Sequence, residues 1–191
     1  MAIYLIRHGE TAYNVSRVLQ LPDVGLSARG LEQAEKLACR LAGEGITTIL
    51  SSDLRRAAMT AERLQAATGA ELRLTPLLRE RNFGDIRGLA YDALGVDIFS
   101  KEYEPPGGET WQAFENRVDA AWREVVRTVS SISGHLAVVT HGMMSYTLAQ
   151  RHLKMTADVP PLFQWGNTSV TIIDSQAPWQ VRLLNCTAHL E

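Results

Sequence analysis

Ile3-Tyr4-Leu5-Ile6-Arg7-His8-Gly9-Glu10-Thr11 opens the chain with an apolar run that ends abruptly in Arg-His-Gly. The run, β-rich from residue 2 to residue 7, predicts a buried strand. Arg7 and His8 would then stand together at the rim of a sheet, where open α/β sheets bind ligands. A guanidinium is a planar fork matched to phosphate oxygens. A neutral imidazole can attack phosphorus and become phosphorylated. A strand that merely ends in polar residues is the plainer reading, and the rest of the chain decides between the two.

Outward from that strand, β and helical patterns alternate. Leu31, Ala34, Leu37, Ala38 and Leu41 recur at helical spacing, which predicts a helix over 27–43 with Ser27 as N-cap. Gly43 and Gly45 break it, and Thr47-Thr48-Ile49-Leu50 reads as a second strand. A helix follows at 53–68, closed by Gly69, and 71–74 is a short third strand ahead of Pro76. The segment 76–108 is the least regular and ends in a Pro-Pro-Gly-Gly turn. From Thr110 a long amphipathic helix carries Trp111, Phe114, Val118, Trp122, Val125 and Val129 on one stripe. Residues 135–140 form another strand, and His141-Gly142 opens a helix running to 152. A loop with Pro160-Pro161 leads to two last strands, near 168–174 and 179–185. Such alternation predicts a three-layer α/β/α fold around a mostly parallel sheet. Its 191 residues read as one domain, with no internal repeat or linker.

Composition is that of an ordinary soluble globular protein, 46% hydrophobic and 21% charged. A formal charge of −2 and no basic block argue against nucleic acid as a partner. No apolar stretch approaches membrane-span length, and the start lacks a signal-peptide pattern. Cys39 and Cys186 have no metal-ligand or CxxC spacing and read as small buried or semi-buried residues in a reducing cytoplasm.

Collecting the polar residues at strand ends is more informative. Arg7 and His8 follow the first strand; Ser51, Ser52, Asp53, Arg55 and Arg56 the second; Thr140 and His141 the strand at 135–140. In a parallel sheet all three sets emerge on one edge. Histidines and arginines converging there make a cationic pocket in a slightly anionic protein, suited to a dianion such as phosphate. The helices after Ser52 and His141 would point their N-terminal N–H groups at it.

These residues also resemble a known family. Arg7-His8-Gly9-Glu10-Thr11, Asn14 and Leu26-Ser27-Ala28-Arg29-Gly30 are similar to the opening signature of the histidine phosphatase superfamily, the phosphoglycerate mutase-like proteins. Ser51-Ser52-Asp53-Leu54-Arg55-Arg56-Ala57 with Thr60-Ala61 resembles its second motif. Leu78-Arg79-Glu80-Arg81-Asn82-Phe83-Gly84 resembles its acid/base segment, Gly107-Gly108-Glu109-Thr110 the entry to its long helix, and Thr140-His141-Gly142 its second histidine. The matches run in family order along nearly the whole chain. Where many relatives have Gly after the Gln of the first loop, this chain has Gln20-Leu21-Pro22-Asp23.

The resemblance implies a phosphoryl-transfer site. His8 would be the nucleophile, Arg7 and Arg56 the clamp on the phosphoryl oxygens, His141 and Asn14 further donors, and Glu80 the proton carrier. Arg55 would be a rim or solvent residue. No cofactor and no metal is expected, since the arginines would carry the charge a metal otherwise neutralises. The implied substrate is a small phosphorylated metabolite, and the oligomeric state, monomer or homodimer, is left open.

Only the segment 81–106 separates Glu80 from Gly107, with none of the longer, paired-arginine insertion of the family's mutases. A phosphomonoesterase is therefore the leading expectation, ahead of a cofactor-dependent phosphoglycerate mutase and of a non-catalytic phosphate- or phosphopeptide-binding module. Arg79, Arg81 and Arg87 could meet a second anionic group or simply face solvent. Asp53 reads as a helix N-cap, and His135, His152 and His189 as surface residues. Phe163, Trp165 and Asn167 are expected at the pocket mouth together with 85–106.

Overall fold

The computed structural model describes residues 1–155 and 165–191. Six strands form one sheet: β1 (Ala2–Arg7), β2 (Ile46–Ser52), β3 (Glu71–Thr75), β4 (His135–Thr140), β5 (Val170–Asp174) and β6 (Val181–Cys186). Their order is β3-β2-β4-β1-β5-β6. The pairs β1–β4, β2–β4 and β2–β3 are parallel, while β5 and β6 are added antiparallel beside β1. The sheet is thus mostly parallel, as the alternation predicts. Its antiparallel edge comes from the two last strands, which no helix separates among the described residues.

The helices are a single turn α1 (Ala12–Val15), then α2 (Ala28–Leu41), α3 (Arg55–Thr68), α4 (Trp111–Ser131) and α5 (Gly142–His152). Alternate residues of the central strands face opposite layers. Ile3 and Leu5 of β1, with Leu136 and Val138 of β4, pack with α4 and α5 through Phe114, Val118, Trp122, Val125 and Met144. Tyr4 and Ile6, with Ala137 and Val139, pack with α2 and α3 through Leu37, Leu41, Ala57, Ala61 and Leu64. This is the three-layer α/β/α arrangement. None of the described helices is long and apolar enough to cross a membrane.

Ser27 caps α2 and Thr110 caps α4 through their side chains, as their sequence positions suggest. Asp53 does not cap α3. The N-cap is Leu54, without a side-chain cap, and Asp53 instead grips Arg79 through two bonds of 2.6 and 2.5 Å. Cys39 is exposed rather than buried, because it falls on the solvent side of α2; Cys186 is half-buried, and both thiols are free. The three remaining histidines are partly buried rather than surface groups. His135 accepts the Ala2 N–H, His152 bonds Asp119 and stacks on Trp122, and His189 bridges Arg40 and Thr168.

Two glycines set the approach of loops to the sheet rim. A Cβ on Gly30 would lie 2.0 Å from the Glu10 carbonyl oxygen, so only glycine lets α2 start against the loop that carries His8. Gly84 has φ +54°, and a Cβ there would meet the Pro106 oxygen at 2.1 Å. That contact seats the Pro-Pro-Gly-Gly turn against the strand-like segment bearing Glu80.

Candidate active site

Register explains how distant motifs meet. Arg7 pairs with Thr140 across β1–β4, and Ser51 with Val139 across β2–β4. Arg7, Thr140 and Ser52 therefore end three parallel strands at one level, and His8 and His141 follow immediately. Their rings lie 5.1 Å apart, centroid to centroid. Arg7, His8, Asn14, Arg56, Glu80, Gly142 and Met143 line a single cleft of about 910 Å3, while His141, fully buried, stands next to His8 outside that lining.

Hydrogen bonds define the state of each ring. The Nδ1 of His8 lies 2.7 Å from the carbonyl oxygen of Gly9, its own neighbour, so Nδ1 carries the proton and Nε2 keeps its lone pair. Burial first, then the charges of Arg56 and Arg7, hold His8 well below its usual pKa, so the ring is neutral. His141, fully buried, is held down by the same causes. Its Nε2 sits 2.9 Å from the Ser52 hydroxyl, whose oxygen already accepts the Leu54 N–H at 3.2 Å. The hydroxyl keeps its proton and a second lone pair for Nε2, so it can pair with either tautomer; when it donates, the His141 ring proton sits on Nδ1. That atom is buried and has no hydrogen-bond partner among the described residues.

Arg56 is 3% exposed and donates through Nη1 to the Leu21 carbonyl. Burial lowers its pKa to about 10, which still leaves it charged at neutral pH. Arg7 bonds the Trp165 carbonyl through Nη1. The Nε atoms of both guanidiniums are buried without partners among the described residues. Arg55 and Arg56 also stand in the first turn of α3, at the positive end of its dipole, an arrangement unfavourable by about 0.3–1 kcal/mol per charge unless an anion sits there.

Glu80 is held from behind. Its carboxylate accepts the N–H groups of Met143, Met144 and Arg81 at 3.0, 3.2 and 3.1 Å. The Met143 and Met144 N–H groups in the first turn of α5 are therefore spent on Glu80, which leaves Gly142, at the cleft wall, as the part of this helix end that faces the pocket. Burial raises the Glu80 pKa, with the hydrogen bonds and then Arg56 and Arg7 opposing it. Its backbone is fixed by Arg117 of α4, which reaches the carbonyls of Leu77, Arg79 and Glu80 and clasps Glu109 at 2.8 and 2.7 Å. Glu109 in turn accepts the Asn82 N–H. The Gly-Gly-Glu-Thr motif thus supports the Glu80 segment.

Asn14 spends its Oδ1 on the Thr11 N–H, closing a capping box, which leaves its amide Nδ2 for the cleft. Of the three nearby arginines, Arg79 pairs with Asp53 at the rim. Arg81 is buried and donates to the carbonyls of Glu109, Ile98 and Tyr103, lying 5.0 Å from the Trp111 ring centre. It ties down the 98–109 segment. Arg87 gives its Nε to the Gly84 carbonyl. Trp165, 2% exposed, belongs to the core cluster that includes Phe114 and Trp122 and is not part of the cleft lining. Asn167 does line the cleft and donates to the His8 carbonyl at 3.0 Å. Phe163 and Pro160-Pro161 lie outside the described residues. Tyr91, Gln20 and Tyr146 line the cleft too. Tyr91 lies within 85–106 and Gln20 in the Gln20-Leu21-Pro22-Asp23 loop that the sequence singled out, whereas Tyr146, on α5, was passed over because one aromatic on a helix carries no motif signal.

Among the described residues, no three His, Cys, Asp or Glu side chains gather as a metal site. Compared with known proteins, residues 3–187 match the model of the histidine phosphatase superfamily, branch 1. The chain belongs to that superfamily. It is accordingly an enzyme of the histidine phosphatase and phosphoglycerate mutase type. This histidine phosphatase is 31% identical over 212 residues to a probable phosphoglycerate mutase, GpmB, of Escherichia coli O1:K1, covering 100% of this chain and 95% of that protein. It is similar in structure to a mycobacterial glucosyl-3-phosphoglycerate phosphatase solved with VO3, at 30% identity and a TM-score of 0.79, covering 97% of this chain and 99% of that one. A putative alpha-ribazole-5'-P phosphatase from Escherichia coli K-12 superposes with a TM-score of 0.80 at 26% identity, over 98% and 97% of the two chains.

Proposed function

We propose that this histidine phosphatase is a metal-independent phosphomonoesterase that hydrolyses a small phosphorylated metabolite through a phosphohistidine on His8. One observation carries the reading. The Nε–H donors of Arg7 and Arg56, residues that line the cleft together with His8, are buried without partners among the described residues, and so is Nδ1 of His141, whose ring lies 5.1 Å from that of His8. An unpaired buried donor costs about 1–3 kcal/mol, and two guanidinium donors beside one bare imidazole nitrogen suit oxyanion oxygens.

In this mechanism His8 Nε2 attacks phosphorus in line. The phosphoryl oxygens take hydrogen bonds from Arg7, Arg56, the His141 Nδ1–H and the Asn14 amide, and the two guanidiniums carry the charge a divalent ion would otherwise balance. Glu80, raised toward its acid form, gives a proton to the departing alkoxide. It then takes one from the water that cleaves the N–P bond, its carboxylate form being met by three N–H groups. The whole chain acts as one domain on a small substrate. We place it in a reducing, cytoplasmic setting, which two unbridged thiols suit.

Hydrolysis is favoured over mutase action by two features. The alignment with the mutase-named relative spans 212 residues, longer than the 191 of this chain, so that relative carries insertions absent here. Arg81, the most buried of the arginines beside Glu80, is spent on carbonyls and not on a second phosphate. His8→Ala should abolish phosphate release while the protein stays folded, and rapid quenching of wild type should trap acid-labile phosphate on His8. Activity should persist in excess chelator. Interconversion of 2- and 3-phosphoglycerate without net phosphate release would overturn the reading in favour of a mutase.

A further inference from the structure

We propose that the outer half of the cleft receives an uncharged, apolar leaving group, so that aryl or arylalkyl phosphomonoesters are preferred to phosphorylated carboxylic acids. The proposal rests on the hydrolytic reading above and assigns the part of the substrate beyond phosphorus.

Apolar and aromatic side chains line the cleft beyond the phosphate pole: Leu19, Pro22, Leu54, Phe83, Tyr91 and Phe99. Of the large hydrophobics left exposed among the described residues, Phe99 belongs to that lining, and Val15, Leu21, Leu89 and Val96 lie on two of the chain segments that supply it. Apolar lining around an opening marks a binding surface. Backbone bonds join the two segments: Gly88 N–H to the Leu19 carbonyl at 2.7 Å, Leu19 N–H to Leu89 at 3.0 Å, and Tyr91 N–H to Arg17 at 2.9 Å. The mouth is therefore a built wall.

Three rings give that wall its face. Phe99, which lines the cleft and is 38% exposed, is met edge-on by Phe83 at 6.2 Å and by Tyr91 at 5.8 Å. Edge-to-face neighbours hold the central ring and leave one surface free for a flat apolar group. Charge points the same way. Arg79 is neutralised by Asp53, Arg17 by Asp92 at 3.4 Å, and Arg81 is turned to carbonyls. Asp97 lines the same mouth, where a substrate carboxylate would meet like charge. The phosphate pole is cationic and the mouth is lined by rings; Arg79 and Arg17 have carboxylate partners there, while Arg87 gives its Nε to the Gly84 carbonyl and has no carboxylate partner among the described residues.

The test compares benzyl phosphate with phosphoglycolate and glycerol 1-phosphate. All three release alkoxides, so the comparison reads recognition more than leaving-group reactivity. Benzyl phosphate should show kcat/KM at least tenfold above both, and Phe99→Ala should narrow that preference to within about twofold. Equal or higher kcat/KM for phosphoglycolate overturns the proposal, most clearly if Arg87→Gln removes that advantage. Calorimetry with benzylphosphonate and phosphonoacetate separates this from the hydrolytic reading. Tenfold tighter benzylphosphonate supports the apolar subsite even where no ester is hydrolysed, a result that would sink the phosphatase reading alone. Equal or tighter phosphonoacetate overturns the subsite.

Discussion

The Ser52 hydroxyl lies 2.9 Å from Nε2 of His141 while its oxygen accepts the Leu54 N–H, so a serine at the end of β2 can donate to a histidine just past β4 and favour the ring proton on Nδ1. Without that hydroxyl the neutral His141 ring can place its proton on either nitrogen, and a ring protonated on Nε2 presents a lone pair to an anion. Ser52→Ala should lower kcat about tenfold, as expected for losing about 1.4 kcal/mol of transition-state stabilisation. Ser52→Thr, which keeps the hydroxyl, should retain most of the activity. Equal losses in both variants would show that the serine matters for packing alone.

Glu80→Gln should separate the two chemical steps. A good leaving group such as p-nitrophenolate departs without a proton, so the first step should persist for p-nitrophenyl phosphate and fall by about 10²–10⁴ for alkyl esters. Dephosphorylation should slow for both, and phosphohistidine should accumulate and be visible by 31P NMR. Equal slowing of both ester types would remove Glu80 from the acid role.

Acid should destabilise the fold well before carboxylates titrate. His8, His141, His152 and His189 are all held below the usual imidazole value, chiefly by burial, and His189 to about 4. As pH falls through about 6.5 the unfolded chain takes up protons that the folded one refuses, which costs up to about 1.4 kcal/mol per pH unit for each histidine. Glu80, pushed up by burial, works in the opposite sense and offsets one of the four. Asp53 and Asp119, held low by arginine partners, contribute their losses only at lower pH. Urea midpoints measured at pH 7.5, 6 and 5 should fall steadily; a flat profile would mean that these rings are not buried in neutral form.

Gly30→Ala tests the loop approach that places His8. Its Cβ has no room against the Glu10 carbonyl, and the strain should cost about 3 kcal/mol and lower activity with it. Gly43→Ala, with nothing within 4 Å of its Cβ, is the control and should be neutral in denaturant melts.

Chain chemistry alone determined much of this protein. Buried apolar runs, helical stripes and the Ser27 and Thr110 caps are local signals, because strand and helix periods are written in neighbouring residues. Strand ends rich in Arg, His and Ser then pointed to one rim, since parallel strands share a direction. What tertiary structure decided is where shared donors go. The Met143 and Met144 N–H groups turned to Glu80, Asp53 took Arg79 in place of a helix cap, Arg81 was drawn into the carbonyls of 98–109, and Ser52 was set against His141. Each such pairing depends on which partner lies within 3.4 Å across 17 to 89 residues of chain, a distance no local pattern encodes.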